Sequence, residues 1–347
     1  MKSRKKFLYL LLSLIISAPL IFLLISQIST QEFMYTLKNL YLPSLVIYML
    51  ISLTGAIIRA WRYRLLLQPT RVSWPGILLV TFVKNSLVDL LPARLGSLSY
   101  IYLLNRRLGL AFESATSSFI AAFLLDFLTL SPFLIAAILS VGLGVDAVAS
   151  PTVLAVALLF FLLVMQAFIL IIPLARIIFQ IYSFLGLRFK LDDKNWFQKS
   201  REKFRGTIDV LRFTRNHSSS WLIFLLSFLI RLAKYSSLFF LLHALLRIHG
   251  FSLAELSFWR LILGTSGAEL TSALPIKGLA GFGTWESAWA LTFRLMGTEK
   301  NIAILSGLGI HFLTNLFEYS LGIASLFLLA LPHFRPNLSQ GERAWSP

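Results

Sequence analysis

Of 347 residues, 57% are hydrophobic and the mean hydropathy is +0.78, which excludes a soluble globular protein and makes the bilayer the solvent for most of the chain. The balance of 32 Lys and Arg against 15 Asp and Glu gives a formal net charge of +17. The basic residues cluster between apolar runs, a pattern of membrane topology and anionic-lipid contact rather than of nucleic-acid binding. With no cysteine, disulfides, thiol catalysis and Cys-type metal sites are excluded.

Residues 1–6 (MKSRKK) are basic and 7–26 are apolar, long for a signal-peptide core and interrupted by Pro19. We expect an uncleaved first span with a cytoplasmic N-terminus. After a short outer loop at 27–41, a second span covers 42–58, and Arg59, Arg62, Arg64 and Arg71 mark its cytoplasmic end. Residues 74–96 begin apolar but carry Lys84, Asn85, Asp89, Pro92 and Arg94 in their second half. Three charges taken through hydrocarbon cost about 2.5–3.5 kcal/mol each at central positions. A re-entrant helical hairpin returning to the cytoplasm costs less, the alternative being a short span with a snorkelling end.

A third span at 116–139 contains Asp126, and 141–150 hold no Lys or Arg, as suits an outer loop. The fourth span, 152–173, leads into a cytoplasmic loop at 176–220 with ten Lys or Arg against four Asp or Glu. Within it Phe197, Phe204, Ile208 and Leu211 share one face of an amphipathic helix, which either meets anionic headgroups or packs on the protein itself. The span at 221–246 carries Arg231 and Lys234, three apart and on one face. Their expected partners are Asp126 or the stripe of His311, Asn315 and Glu318 on the last span, 302–331. A buried ion-pair network without ligand is the alternative. His311 and Glu318 lack a third ligand at useful spacing, so no metal or cofactor is expected.

A second broken element, 256–296, contains GTSGAELTSALPIKGLAGFGTWESAW at 264–289. Pro275, Gly278, Gly281 and Gly283 forbid one continuous membrane helix, and irregular backbone at membrane depth survives only in protein or beside a wet cavity. With six crossings and both termini inside, this element enters from the outside. It shares Leu-Pro, one residue, a cation and a glycine with the first element (91–96 and 274–278), each with an acid upstream, Asp89 and Glu269. Opposed broken hairpins suggest an inverted repeat, as in secondary transporters. The glycines leading into a helix at 285–295, with Lys277 and with Arg94 from the first element, suit phosphate or carboxylate capture at a helix N-terminus. Close helix packing is the alternative for the glycines. Glu269 and Glu286 then either pair with Lys277 and Arg94 or take up a proton.

The motifs Arg-Ala-Trp-Arg-Tyr at 59–63, Leu-Leu-Pro-Ala-Arg-x-Gly at 90–96, Leu-Leu-Asp at 124–126 and Pro-x-x-Gly-x-x-Gly-x-Gly-x-x-Glu at 275–286 resemble the flippase-like transmembrane region of lysylphosphatidylglycerol synthetases, the multiple peptide resistance factors, and of stand-alone homologues. The resemblance covers about residues 7–331 and implies a protein that binds or moves lipids, with Arg94, Asp126 and Glu286 at the family's polar positions. The chain departs from it at Ser97, Tyr100, Ala122 and Phe123, where the family usually has charged residues, which weakens the case for lysylphosphatidylglycerol as substrate. No soluble synthase domain follows, so tRNA-dependent synthesis is not expected.

The sequence thus leads us to expect an all-α polytopic membrane protein, about six transmembrane helices and two re-entrant hairpins in one domain at 1–335, with a short cytoplasmic tail at 336–347. Its expected role is binding and translocating an anionic or zwitterionic phospholipid or a polyprenyl-phosphate lipid across the inner or plasma membrane, without catalytic chemistry of its own. Asp89, Arg94, Asp126, Arg231, Lys234, Glu269, Lys277, Gly281, Gly283, Glu286 and Glu318 are the candidate site residues. Rival readings are a polyprenyl-phosphate-dependent transferase, for which the first outer loop offers only Glu32 as a base, an ion-coupled transporter of a small solute, and a scaffold.

Overall fold

A computed structural model of the chain describes residues 19, 29–68, 70, 72–88, 96–142, 151–189, 194–215, 220–271, 281–331 and 334. Among them the fold is all-α: α1 (Thr30–Lys38), α2 (Leu42–Leu66), α3 (Trp74–Val88), α4 (Ser99–Arg107), α5 (Phe112–Gly142), α6 (Pro151–Arg188), α7 (Asn195–Arg215), α8 (Ser220–Leu246, extended by a 3₁₀ turn at Arg247–His249), α9 (Phe258–Thr271), α10 (Thr284–Leu295) and α11 (Lys300–Ala330). Four described helices are long and apolar enough to cross a membrane: Leu42–Leu66, Phe112–Gly142, Trp221–His249 and Lys300–Ala330. The expected first span lies outside the described residues.

Two units share one plan: a long helix (α2, α8), two short helices joined by a break (α3/α4, α9/α10), then a helix of 31 residues (α5, α11). The short helices have 15, 9, 14 and 12 residues and reach at most about 22 Å, short of the ~30 Å hydrocarbon core. The packing repeats as well. Helix α2 packs on α8, α3 on α11 as α9 does on α5, and each pair of short helices packs on itself and on the helix that follows. The units run in opposite directions, since Tyr41 N–H at the start of α2 donates to Ala244 O at the end of α8, 3.0 Å away. The two helices cross closely, for a Cβ on Gly55 would stand 3.3 Å from the Ala233 Cβ.

The units also match in detail. Ser118 lies six residues into α5 and Ser306 six into α11. The Tyr100 hydroxyl of α4 meets Ser118 Oγ at 3.0 Å, and Trp289 Nε1–H of α10 donates to Ser306 Oγ at 3.1 Å.

Helix α11 is the spine on which both pairs meet. A Cβ at Gly307 would come 2.8 Å from Trp289 Cδ1 of α10, and one at Gly322 would come 2.0 Å from Ser86 Oγ of α3. Each pair builds its own apolar core. One core joins Tyr63, Ile77, Val80, Tyr100, Leu104, Leu125, Ile223 and Leu329 around α3/α4. The other joins Tyr48, Phe133, Tyr235, Leu241, Leu261, Trp289, Ile304 and Ile310 around α9/α10.

Two expectations are corrected and one open choice is decided. Helix α2 does not stop at 58 but runs to Leu66, so Arg59, Arg62 and Arg64 are helical rather than loop residues. Helix α6 passes through Pro173 to Arg188, taking the first part of the expected loop at 176–220 with it. A proline removes one helical hydrogen bond and kinks a helix, and the strongly apolar sequence on both sides sustains this one. Of the two placements expected for the amphipathic helix, α7 takes the second and lays its apolar face on the protein itself. Phe197 and Ile208 are buried, Phe197 stacks on Tyr182 with centroids 4.7 Å apart, and Phe204 meets Phe179 edge-on. Gly186 makes the seat, since a Cβ there would strike Phe197 at 2.0 Å.

Candidate functional site

Between the two apolar cores runs a belt of polar side chains. On α5 it falls at Asp126, between Leu125 of one core and Phe133 of the other. On α8 it falls at Arg231, between Ile223 and Tyr235, and on α11 at His311, Asn315 and Glu318, between Ile310 and Leu329. On α2, Arg59 and Arg62 lie among residues of the first core, beyond Tyr48 of the second.

The first part of the belt is cationic. Arg62 is fully buried, and its Nη1–H donates to Asp126 Oδ1 at 2.6 Å and to Ser227 Oγ at 3.1 Å, while Nη2–H reaches Asp126 Oδ2 at 3.4 Å. This forked contact suits guanidinium and would be lost with lysine. Arg62 Nε has no hydrogen-bond partner among the described residues. Arg231 Nη2–H donates to the Asp126 backbone carbonyl at 2.5 Å, and Arg59 Nη1–H to Asn85 Oδ1 at 2.9 Å. Lys84 Nζ sits 5.9 Å from the centroid of the Tyr63 ring, on which the Arg62 guanidinium also rests at 5.5 Å. Both Arg231 and Lys84 lie within electrostatic reach of the Asp126 carboxylate. Three cations from α2, α3 and α8 thus surround one carboxylate, with Arg59 bonded to Asn85 on α3, and of the four only Arg62 is fully buried.

The second part is balanced. Lys234 of α8 pairs with Glu269 of α9. Glu286, in the first turn of α10, is fully buried, and its Oε2 accepts the Gly283 N–H at 2.8 Å as an N-terminal cap. Its Oε1 meets His311 Nδ1 of α11 at 2.6 Å. The chain enters α10 through Gly281 (φ 82°) and Gly283 (φ 86°), both in the left-handed region that side chains avoid. The His311 ring stacks on Phe282 and Trp285 with centroids 4.6 and 4.9 Å away, and the stack continues through Trp289 to Phe293.

Of the residues singled out in the sequence, Asp126 and Arg231 share one cluster with Lys84, and Lys234 and Glu269 form a pair. Gly281, Gly283 and Glu286 gather about His311, and Glu318 lies in the belt within electrostatic reach of Tyr48. Asp89, Arg94 and Lys277 lie outside the described residues. Of the partners expected for Arg231 and Lys234, Asp126 receives Arg231 through its backbone carbonyl, while Lys234 pairs with Glu269 and Glu286 takes His311. One expectation changes. The start of α10 does not present its Gly283 N–H to an external anion, because the Glu286 carboxylate already accepts it. Sequence reasoning missed Arg59 and Arg62, which looked like topology charges. Their three-residue spacing, the same as that of Arg231 and Lys234, was the available signal.

Residues 10–322 match the family described as the lysylphosphatidylglycerol synthase TM region. The chain belongs to that family. The match takes in all of both units but the last turns of α11, and therefore the whole polar belt. No curated protein matches the chain.

Proposed function

We propose that the protein binds the phosphate-bearing headgroup of a membrane lipid in the cationic part of the belt and passes the lipid between leaflets. The observation that carries this reading is the excess, among the described residues, of Arg62, Lys84 and Arg231 over the Asp126 carboxylate they surround, with Arg59 held on Asn85. Uncompensated charge there is costly, so it needs an anion or water. The half-buried state of Arg59, Lys84 and Arg231 leaves donors for one. Family membership supports a lipid as the source of that anion. In this reading α3/α4 and α9/α10 are re-entrant hairpins from opposite membrane faces, as their lengths favour. The basic run at 176–220 lies in the cytoplasm with both termini, and the membrane is the inner or plasma membrane.

The protein then works as a transporter and not as an enzyme. Asp126, Glu269 and Glu286 each already bond to a cation, an imidazole or an N–H group, an arrangement that does not suit a free general base. The test is leaflet exchange of fluorescent lipids in liposomes holding the purified chain, with anionic phospholipid, zwitterionic phospholipid and polyprenyl phosphate in separate arms. Wild type should speed at least one arm by ten-fold or more relative to an Arg59→Gln, Lys84→Gln double variant, on the order of the loss of one charged contact. Equal rates for the two proteins in every arm would sink the reading.

A further inference from the structure

The pair Glu286–His311 lies apart from the cationic cluster and does something that cluster cannot. Its carboxylate is wholly buried and its imidazole nearly so, at 0% and 4% exposure. A cap on Gly283 needs only one carboxylate oxygen, yet the second oxygen is spent on an imidazole from another helix. Among the described residues no Lys or Arg contacts Glu286, and His311 is the basic group that meets it. With Glu286 ionised, the 2.6 Å contact places a proton on His311 Nδ1. Nε2 is then the nitrogen that accepts another, and it faces the break in the hairpin, 3.6 Å from where a Cβ on Gly281 would stand. Uptake of one proton there takes the pair from a net charge of −1 to zero, and the Phe282 and Trp285 faces favour the resulting imidazolium.

Among the described residues, the charged and titratable groups on the packed elements are otherwise engaged or distant. Glu269 of α9 holds Lys234 of α8, and Arg231 of α8 donates to the Asp126 carbonyl. His243 of α8 bonds to Ser44 at 2.7 Å. Arg294 of α10 is exposed two turns away, Lys84 of α3 rests on Tyr63, and Glu318 of α11 stands two turns further along its helix. Near α1, His249 bonds to Thr36 at 2.8 Å.

We propose that Glu286 and His311 form a proton-binding site at the break of the second hairpin, and that loading this site with one proton drives the hairpin's part in transport. The coupling rests on the lipid reading above, whereas the site itself does not. Hairpin and spine meet at this bond as well as through Trp289 and Ser306, so its charge state bears on how firmly α10 is held on α11.

Two measurements on the full chain separate site from coupling. In nanodiscs, an imidazolium against Trp285 should quench its fluorescence in one single-proton step on titration across the range in which histidine changes charge, roughly pH 5–8. The step should vanish in both His311→Asn and Trp285→Phe. The step should also differ in Glu286→Gln, which removes the carboxylate that His311 Nδ1 meets. A step unchanged in His311→Asn overturns the site. In liposomes, a transmembrane pH gradient should change the wild-type exchange rate about fivefold and leave that of His311→Asn unaltered. The same response in both proteins overturns the coupling. Absence of any exchange in wild type overturns the lipid reading and the coupling together, while the fluorescence step still decides the site.

Discussion

In the first unit the helix after the break reaches the following long helix through Tyr100 and Ser118, and in the second through Trp289 and Ser306. The frame is the same, but the polar groups set into it are not. The first unit carries Arg59, Arg62 and Lys84, fixed cations with one carboxylate, Asp126, among them. The second carries the acids Glu269 and Glu286 and the imidazole of His311, along with two cations of α8, Lys234 paired with Glu269 and Arg231 reaching across to the Asp126 carbonyl of the first unit. The packing repeats while the polar groups set into it differ, so the anion-binding and proton-binding roles we propose fall at different places in one repeated frame.

That contrast can be broken most severely at Arg62. Replacing it with methionine leaves Asp126 without its forked partner, and losing one member of a buried pair costs about 3–5 kcal/mol. Asp126 keeps 32% of its side chain exposed, so the lower end of that range is expected in a thermal or denaturant unfolding curve, with Asp126→Asn restoring part of the loss in the double variant. The spine gives a smaller and more symmetrical effect. Gly307→Ala drives a Cβ into Trp289 and Gly322→Ala drives one into Ser86, each expected to cost about 1–3 kcal/mol by overpacking. Disulfide trapping between α11 and each hairpin should show that the first loosens α10 alone and the second α3 alone. If either variant loosens both hairpins, the units are not independent.

Tyr100→Phe and Trp289→Phe remove the matched hydrogen bonds, and each should cost about 1 kcal/mol for the bond, with the indole variant losing more through its smaller ring. Unfolding curves that differ greatly after allowance for ring size would deny the equivalence. The smallest effect lies outside the bundle. The Ser252 N–H and hydroxyl both donate to Glu255 Oε2, at 2.6 and 2.7 Å, and hold its carboxyl below the ordinary carboxylate range of about 4.5. Because the folded pKa is the lower one, this turn between α8 and α9 is supported above that ordinary value and loses support as pH falls through the folded pKa. Amide exchange at Ser252 should rise there in wild type and already be high in Glu255→Gln.

Much of this frame was legible in the sequence. Breakers at Pro92, Pro275 and the glycines from 278 to 283 placed both interruptions, and apolar run lengths placed the long helices. The shared Leu-Pro and glycine pattern pointed to the repeat, although its tips are outside the described residues. Partner choice was not legible. Arg231 and Lys234 could be seen to share a face, but a spacing rule cannot say that a backbone carbonyl rather than a carboxylate will receive Arg231. Arg59 and Arg62 were hidden by a rule that treats arginines after an apolar run as topology signals, whereas α2 continues for two more turns and buries one of them. Glu286 could be placed at a helix start, yet only its partner on α11 shows that the cap is also a bridge.

Helix α6 has a consequence for how such a molecule came to be. Each unit begins and ends at the same end of the bundle, because two long helices and an even pair of short ones cancel. Two copies joined by a short loop would therefore face the same way. The 38 residues of α6, about 57 Å, carry the chain from the end where α5 finishes to the end where α7 lies, with Lys203 over the Phe112 ring at the start of α5. One extra traverse reverses the parity, so the second copy is threaded upside down against the first. A fused ancestor without that helix would have had two units pointing in parallel and no seam between them.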